Sequence, residues 1–162
     1  MKLDRLDLKI LKIMQENGRI TKLRLAEKIN LSPTASWERL RKLEQSGVIE
    51  SYHARLNLEK VVKLIDVLVH ITLKRHRQED FSIFENRIRQ IPEITECQAT
   101  GGGMDYLMKV TVPDIVSYQS LMDDLLQAEI GIDRYFTYVV TKSIKPAVSP
   151  LLDRLHSFLE EF

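Results

Sequence analysis

The sequence predicts an α+β protein in two parts: a helical amino-terminal unit, then a unit in which strands and helices alternate. Three observations predict this. Up to residue 47, apolar residues recur at helical spacing between capping and stop residues. From Asp66 onward the pattern changes to β-branched runs separated by two amphipathic helices. Charge divides along the same line, with 11 Lys/Arg against 7 Asp/Glu in residues 1–50 and 13 against 16 in residues 51–162.

The first helix is expected from Asp4 to Asn17, with Leu3, Leu6, Ile10, Ile13 and Met14 as its apolar stripe and Asn17-Gly18 as its stop. Thr21 caps the second, whose buried face is Leu25, Ala26 and Ile29, and Asn30 closes it. Ser32-Pro33 opens the third as N-cap and first-turn proline. Trp37, Leu40 and Leu43 face inward on it, and Gly47 ends it. Residues 48–58 alternate loosely, as a wing or a linker would.

Asp66–Lys74 reads as a strand. Phe81, Phe84, Ile88 and Ile91 mark a helix ended by Pro92. Ile94–Thr100 and Tyr106–Val112 are strands joined across Gly101-Gly102-Gly103. Pro113-Asp114 opens a helix with Ile115, Tyr118, Leu121, Met122 and Leu125 on one face, and Ile132–Thr141 is a fourth strand. The order β-α-β-β-α-β is the ferredoxin-like unit, whose helices cover one face of its sheet. Self-association would cover the other face. Ser149-Pro150 caps a last helix with an apolar stripe from Leu151 to Phe162, which needs a partner surface. The expected divisions are residues 1–50, a wing or linker over 51–65, the ferredoxin-like domain over 66–145, and a helical extension over 146–162.

Composition excludes several classes. A single cysteine, Cys97, rules out an intrachain disulfide. The amino-terminal MKLDRLDLKIL lacks the apolar core of a signal peptide, and no apolar run approaches the ~20 residues of a membrane span. A cytoplasmic protein without a membrane partner is expected. The histidines have no metal-ligand spacing and no acid–base constellation accompanies the carboxylates, so neither a metal, nor a catalytic residue, nor an enzyme is expected.

The informative stretch is Thr21–Gly47, two short helices joined by a tight turn, the second basic. This is the format of a helix-turn-helix, whose second helix enters the DNA major groove. Ser32, Thr34 and Ser36 crowd the amino-terminal turn of that helix, where short hydroxyls can reach base edges or phosphates. Arg39, Arg41 and Lys42 supply charge, and Arg39 is expected on the open side as the leading base or phosphate contact. The plainer reading is that the hydroxyls only cap the helix and the cations solvate it. The preceding helix, the short turn and the charge asymmetry favour DNA. One such unit reads a short half-site, so a dimer on paired half-sites is expected.

The second candidate is Thr100–Lys109. Three glycines between strands can be a tight hairpin, or backbone left bare for a small ligand, with Asp105 and Tyr106 supplying a carboxylate and a hydroxyl.

These segments resemble the Lrp/AsnC family of transcription regulators. The resemblance covers residues 3 to about 145 and lies in LDRLDLKILKIMQENGRIT, LAEKINLSPTASWERLRKLEQSGVI, GGGMDYLMKV and FTYVV. It implies an amino-terminal winged helix-turn-helix, with Ser32, Pro33, Thr34, Ser36, Trp37, Arg39, Arg41 and Lys42 at the DNA, and a carboxy-terminal sensing domain. It also implies dimers joined through their sheets, frequent assembly to octamers, promoter DNA as partner, and an amino-acid effector or a derivative in place of a cofactor. Carried over by position, the effector residues are Gly101, Gly102, Gly103, Met104, Asp105 and Tyr106, with Tyr135 and Thr137 from the facing strand. The chain departs from the family in three places. Gly103 stands where family hairpins often carry an acid, Trp37 stands where a small or aliphatic residue is usual, and the helix expected from Ser149 to Phe162 extends past the usual end. Outside this reading, an architectural DNA-binding protein with no effector is the alternative.

Overall fold

The computed structural model describes residues 3–145, which divide into two compact units at Arg55/Leu56. The expected helix at 149–162 lies outside the described residues.

The first unit holds α1 (Arg5–Glu16), α2 (Lys22–Ile29) and α3 (Pro33–Gln45). Each starts where a side chain satisfies free N–H groups. The Asp4 carboxylate accepts from the N–H groups of Leu6 and Asp7 at 2.8 and 2.9 Å, and Asp7 returns the bond to the Asp4 N–H at 3.0 Å, closing a capping box. Thr21 and Ser32 accept from Arg24 and Ala35. Asn30, in left-handed backbone at φ 58°, ends α2, and Gly47, at φ 74°, follows α3. α1 ends at Asn17, as expected, but with φ −148° and so without left-handed backbone. Leu8, Ile10, Leu11, Ile13, Met14, Leu25, Ile29, Leu40 and Leu43 form the core. The α1 stripe therefore turns toward Leu8 and Leu11, with Leu6 only half-buried. Residues 51–57, within the segment expected as a wing or linker, form no strand and lead to a short 3-10 turn at Leu58–Lys60.

The second unit contains β1 (Ile65–Leu73), α4 (Gln78–Ile88), β2 (Ile94–Ala99), β3 (Tyr106–Val112), α5 (Ile115–Gln127) and β4 (Ile132–Val139). The sheet is antiparallel in the order β2-β3-β1-β4, with β1 flanked by β3 and β4. Strand alternation sorts the two faces. Val67, Val69, Ile71 and Leu73 of β1, and Tyr106, Met108, Val110 and Val112 of β3, are buried with Phe84, Ile88, Tyr118, Met122 and Leu125 of the helices. On the other face the register sets Leu68 beside Tyr138 and Lys109, and His70 beside Phe136 and Leu107. No described helix covers that face. Phe136 and Tyr138 are 54% and 50% exposed, and the His70 and Tyr138 rings lie 4.8 Å apart.

Candidate DNA interface and ligand cleft

The core decides which side of α3 is open. Ser36, Leu40 and Leu43 are buried, which leaves Thr34, Glu38, Arg41 and Gln45 as one exposed row at helical spacing, with Lys42 beside it. The row joins a hydroxyl, a carboxylate, a guanidinium and an amide. These groups can discriminate bases in the major groove: guanidinium with guanine, amide with adenine, carboxylate with cytosine. Three residues separate α2 from α3, and the Ala26 carbonyl accepts the Leu31 N–H at 3.1 Å, which fixes the turn that aims the row.

Several expected DNA residues stand elsewhere. Ser36 is 1% exposed and its hydroxyl has no partner among the described residues, so it belongs to the core and not to a DNA surface. Arg39 does not lie on the open side. Its Nη1 donates to Asp4 at 2.6 Å and Asp7 at 2.8 Å, tying α3 to the capping box of α1. The Asp7 N–H and the Arg39 guanidinium together hold the Asp4 carboxyl below its ordinary value. Trp37 is half-buried against the core, and the Lys22 ammonium sits 3.4 Å from its ring centroid. Ser32 and Pro33 are exposed at the cap, Ser32 using its hydroxyl on Ala35. Sequence reasoning passed over Glu38 and Gln45. The period of Ser36, Leu40 and Leu43 would have placed them on the opposite side.

The sensing residues separate into two groups. Gly101–Gly103 are exposed at the β2–β3 turn, and a Cβ at any of them would meet nothing within 4 Å. Only Gly102 has positive φ, 126°. Thr100 and Met104 close the turn through a 2.8 Å bond from the threonine hydroxyl to the Met104 carbonyl. Asp105 is occupied inside the fold: it accepts from the Leu73 N–H at 2.7 Å and meets His76 Nε2 at 3.0 Å. Tyr106, 3% exposed, donates to Glu85 at 3.0 Å and stacks on Phe84, so it is core and presents no hydroxyl to a ligand.

Tyr135 and Thr137 meet α5 instead. With Ile115, Tyr118, Gln119, Met122 and Asp123 they line a cleft of about 420 Å³. Among these lining residues, the Tyr118 phenol and the Thr137 hydroxyl are 2.5 Å apart. Burial pushes the Tyr118 phenol up, with the Thr137 bond opposing. The volume lies within the range of small-molecule sites, and apolar walls with a few polar groups are the usual lining. Asp123 can meet a cationic nitrogen, while Gln119 and Thr137 can orient polar groups. Ile71 pairs with Tyr106 on one side and Tyr135 on the other, so hairpin and cleft are two strands apart, roughly 10 Å. The turn glycines do not line this cleft.

A helix-turn-helix unit followed by a ferredoxin-like unit with such a cleft defines a DNA-binding regulator with a ligand-binding domain. The comparisons agree. Residues 3–50 match a winged helix-turn-helix DNA-binding model, and residues 66–150 match the Lrp/AsnC ligand binding domain. The chain is 54% identical to the transcriptional regulatory protein DoeX of Halomonas elongata over 156 residues, 96% of this chain and 99% of that protein. It superimposes on an AsnC family transcriptional regulator from Agrobacterium tumefaciens with a TM-score of 0.88 at 35% identity, covering 94% and 99% of the two chains. A transcriptional regulator of Neisseria meningitidis, solved as its L-Met complex, gives a TM-score of 0.85 at 32% identity, covering 92% and 97%. The chain belongs to the Lrp/AsnC family: it is a transcriptional regulator with a DNA-binding helix-turn-helix and a ligand-binding domain, not an enzyme.

Proposed function

We propose that this regulator reads its operator with the exposed row of α3 and senses an amino acid, or a derivative of one, in the cleft between α5 and β4. The observation that carries the reading is the coincidence of a cleft of small-molecule size with the strand that also builds the bare sheet face. On β4, Tyr135 and Thr137 face the cleft while Phe136 and Tyr138 face away. A ligand touching the first pair moves the strand that carries the second. In this reading the bare faces of two chains pair in a homodimer, with an octamer as the higher assembly, in the cytoplasm. The effector then acts by binding one assembly better than another, which changes the spacing of recognition helices and so operator affinity. The Neisseria relative, solved with L-Met, supports an amino acid as the effector class. Asp123 supports a ligand with a cationic nitrogen.

The test is a binding titration on the DNA upstream of this protein's own gene, with excess competitor DNA and a panel of amino acids and derivatives. Tight binding shifted by one compound, and no longer shifted in Asp123→Asn, is the expected result. Weak, salt-sensitive binding indifferent to every compound would favour an architectural protein with no effector.

A further inference from the structure

The first turn of α2 holds cations in an unfavourable place. Lys22 is the first residue of that helix, where free N–H groups and the helix dipole already create a positive field. No acidic residue occupies the turn, and Arg24 adds a second cation. Among the described residues no carboxylate pairs with Lys22; its ammonium lies over the Trp37 ring, 3.4 Å from the centroid. The Trp37 side chain is half-buried and packs against the core of the first unit. At 100° per residue, Trp37 stands between the buried row Ser36-Leu40-Leu43 and the exposed row Thr34-Glu38-Arg41-Gln45. The ring therefore delivers Lys22 to the flank of the row that faces DNA. A π face takes up one side of an ammonium, and the N–H donors on its other side stay open.

We propose that Lys22 is a DNA-phosphate contact and that Trp37 is the positioning residue that holds it there. This rests on the reading that the exposed row of α3 enters the groove. A phosphate at this point meets the ammonium and the free N–H groups of α2 together, which relieves the repulsion the free protein tolerates. Lys22 then strengthens binding without reading sequence, while the α3 row supplies the preference.

The experiment uses the full chain with two duplexes, the region upstream of its own gene and an unrelated sequence of equal length. The slope of log Kobs against log salt is measured on each. Lys22→Gln should reduce the slope by about 0.9 for each chain in contact, equally on both duplexes, and Lys22→Arg should restore it. Between 0.05 and 0.2 M salt that increment is about a 3.5-fold difference in affinity loss. Trp37→Phe, which keeps a ring, should retain the wild-type slope. Trp37→Leu should lose the same increment as Lys22→Gln, and the double variant should lose no more than either. If Trp37→Leu fails to fold by thermal melting, Trp37→Met takes its place. An unchanged slope in Lys22→Gln overturns the contact, and additive losses overturn the positioning role. A wild-type chain that binds neither duplex overturns the DNA reading itself, and this is seen before any variant is compared.

Discussion

Arg39 and Arg41 stand two residues apart on α3 in opposite surroundings. Arg39 closes a network with Asp4 and Asp7, whereas Arg41 is exposed on the open row. The Arg39 pairs are only partly shielded, so solvent screening limits them to about 1 kcal/mol. Arg39→Ala should lower the melting midpoint of the first unit by about 4–8 °C and leave site preference intact. Arg41→Ala should leave the melt unchanged and cost ~1–3 kcal/mol of operator binding if it reads a base. Both are checked by thermal melts beside DNA titrations; an Arg39→Ala chain that melts normally but loses its site preference would return Arg39 to the DNA surface. Tyr106 gives a residue-scale pH effect. Burial, then its bond to Glu85, pushes its phenol well above the ordinary value of 10. The unfolded chain therefore loses that proton first. The neutral phenol's stabilisation is fully present below pH 10 and is lost as pH rises from there toward the folded value. Denaturant melts of the second unit should show stability falling above pH 10, and Tyr106→Phe should flatten the decline. An equal decline in the variant would place the cause elsewhere.

At the scale of elements, the β2–β3 turn is held to the end of β1 by Asp105. Its backbone N–H donates to the Ile71 carbonyl at 2.9 Å and its carboxylate accepts from Leu73 at 2.7 Å. Asp105→Ala leaves the part-buried Leu73 N–H without that acceptor and should destabilise the second unit by about 1–3 kcal/mol. Asp105→Asn, which keeps an acceptor oxygen, should recover most of that loss. Chemical denaturation separates the two, and equal stability of both variants with wild type would remove Asp105 from the scaffold. The glycines beside it have a different origin. Gly102 is required by its φ of 126°, but neither backbone angle nor packing among the described residues requires glycine at 101 or 103.

At the scale of the whole molecule, the sheet has one dry face and one face that, among the described residues, has no cover. Leu68, His70, Leu107, Phe136 and Tyr138 form an apolar and aromatic surface in register across β3, β1 and β4. A second copy applied face to face would bury it. Phe136→Asp puts a charge in the middle of that surface and should shift the protein to monomers in sedimentation velocity while preserving its far-UV circular dichroism. Because one chain reads only a half-site, operator affinity should fall in parallel. A variant that stays oligomeric would place the subunit contact on another surface.

The sequence by itself determined the order of elements, their caps, the helix-turn-helix and the ferredoxin-like topology. Those are local matters: Asp4, Thr21 and Ser32 cap within three residues of themselves, and strand alternation is read two residues at a time. Tertiary structure alone decided the fate of individual functional groups. Arg39 has the look of a DNA residue until α1, 35 positions earlier, brings Asp4 to it. Tyr106 has the look of a ligand hydroxyl until α4 brings Glu85. Lys22 was silent until the helix turn set it on Trp37. The cleft exists only because α5 lies across β4, with lining residues drawn from two elements. In each case the deciding partner lies far along the chain, and whether a polar group is free for a ligand depends on which partner reaches it first.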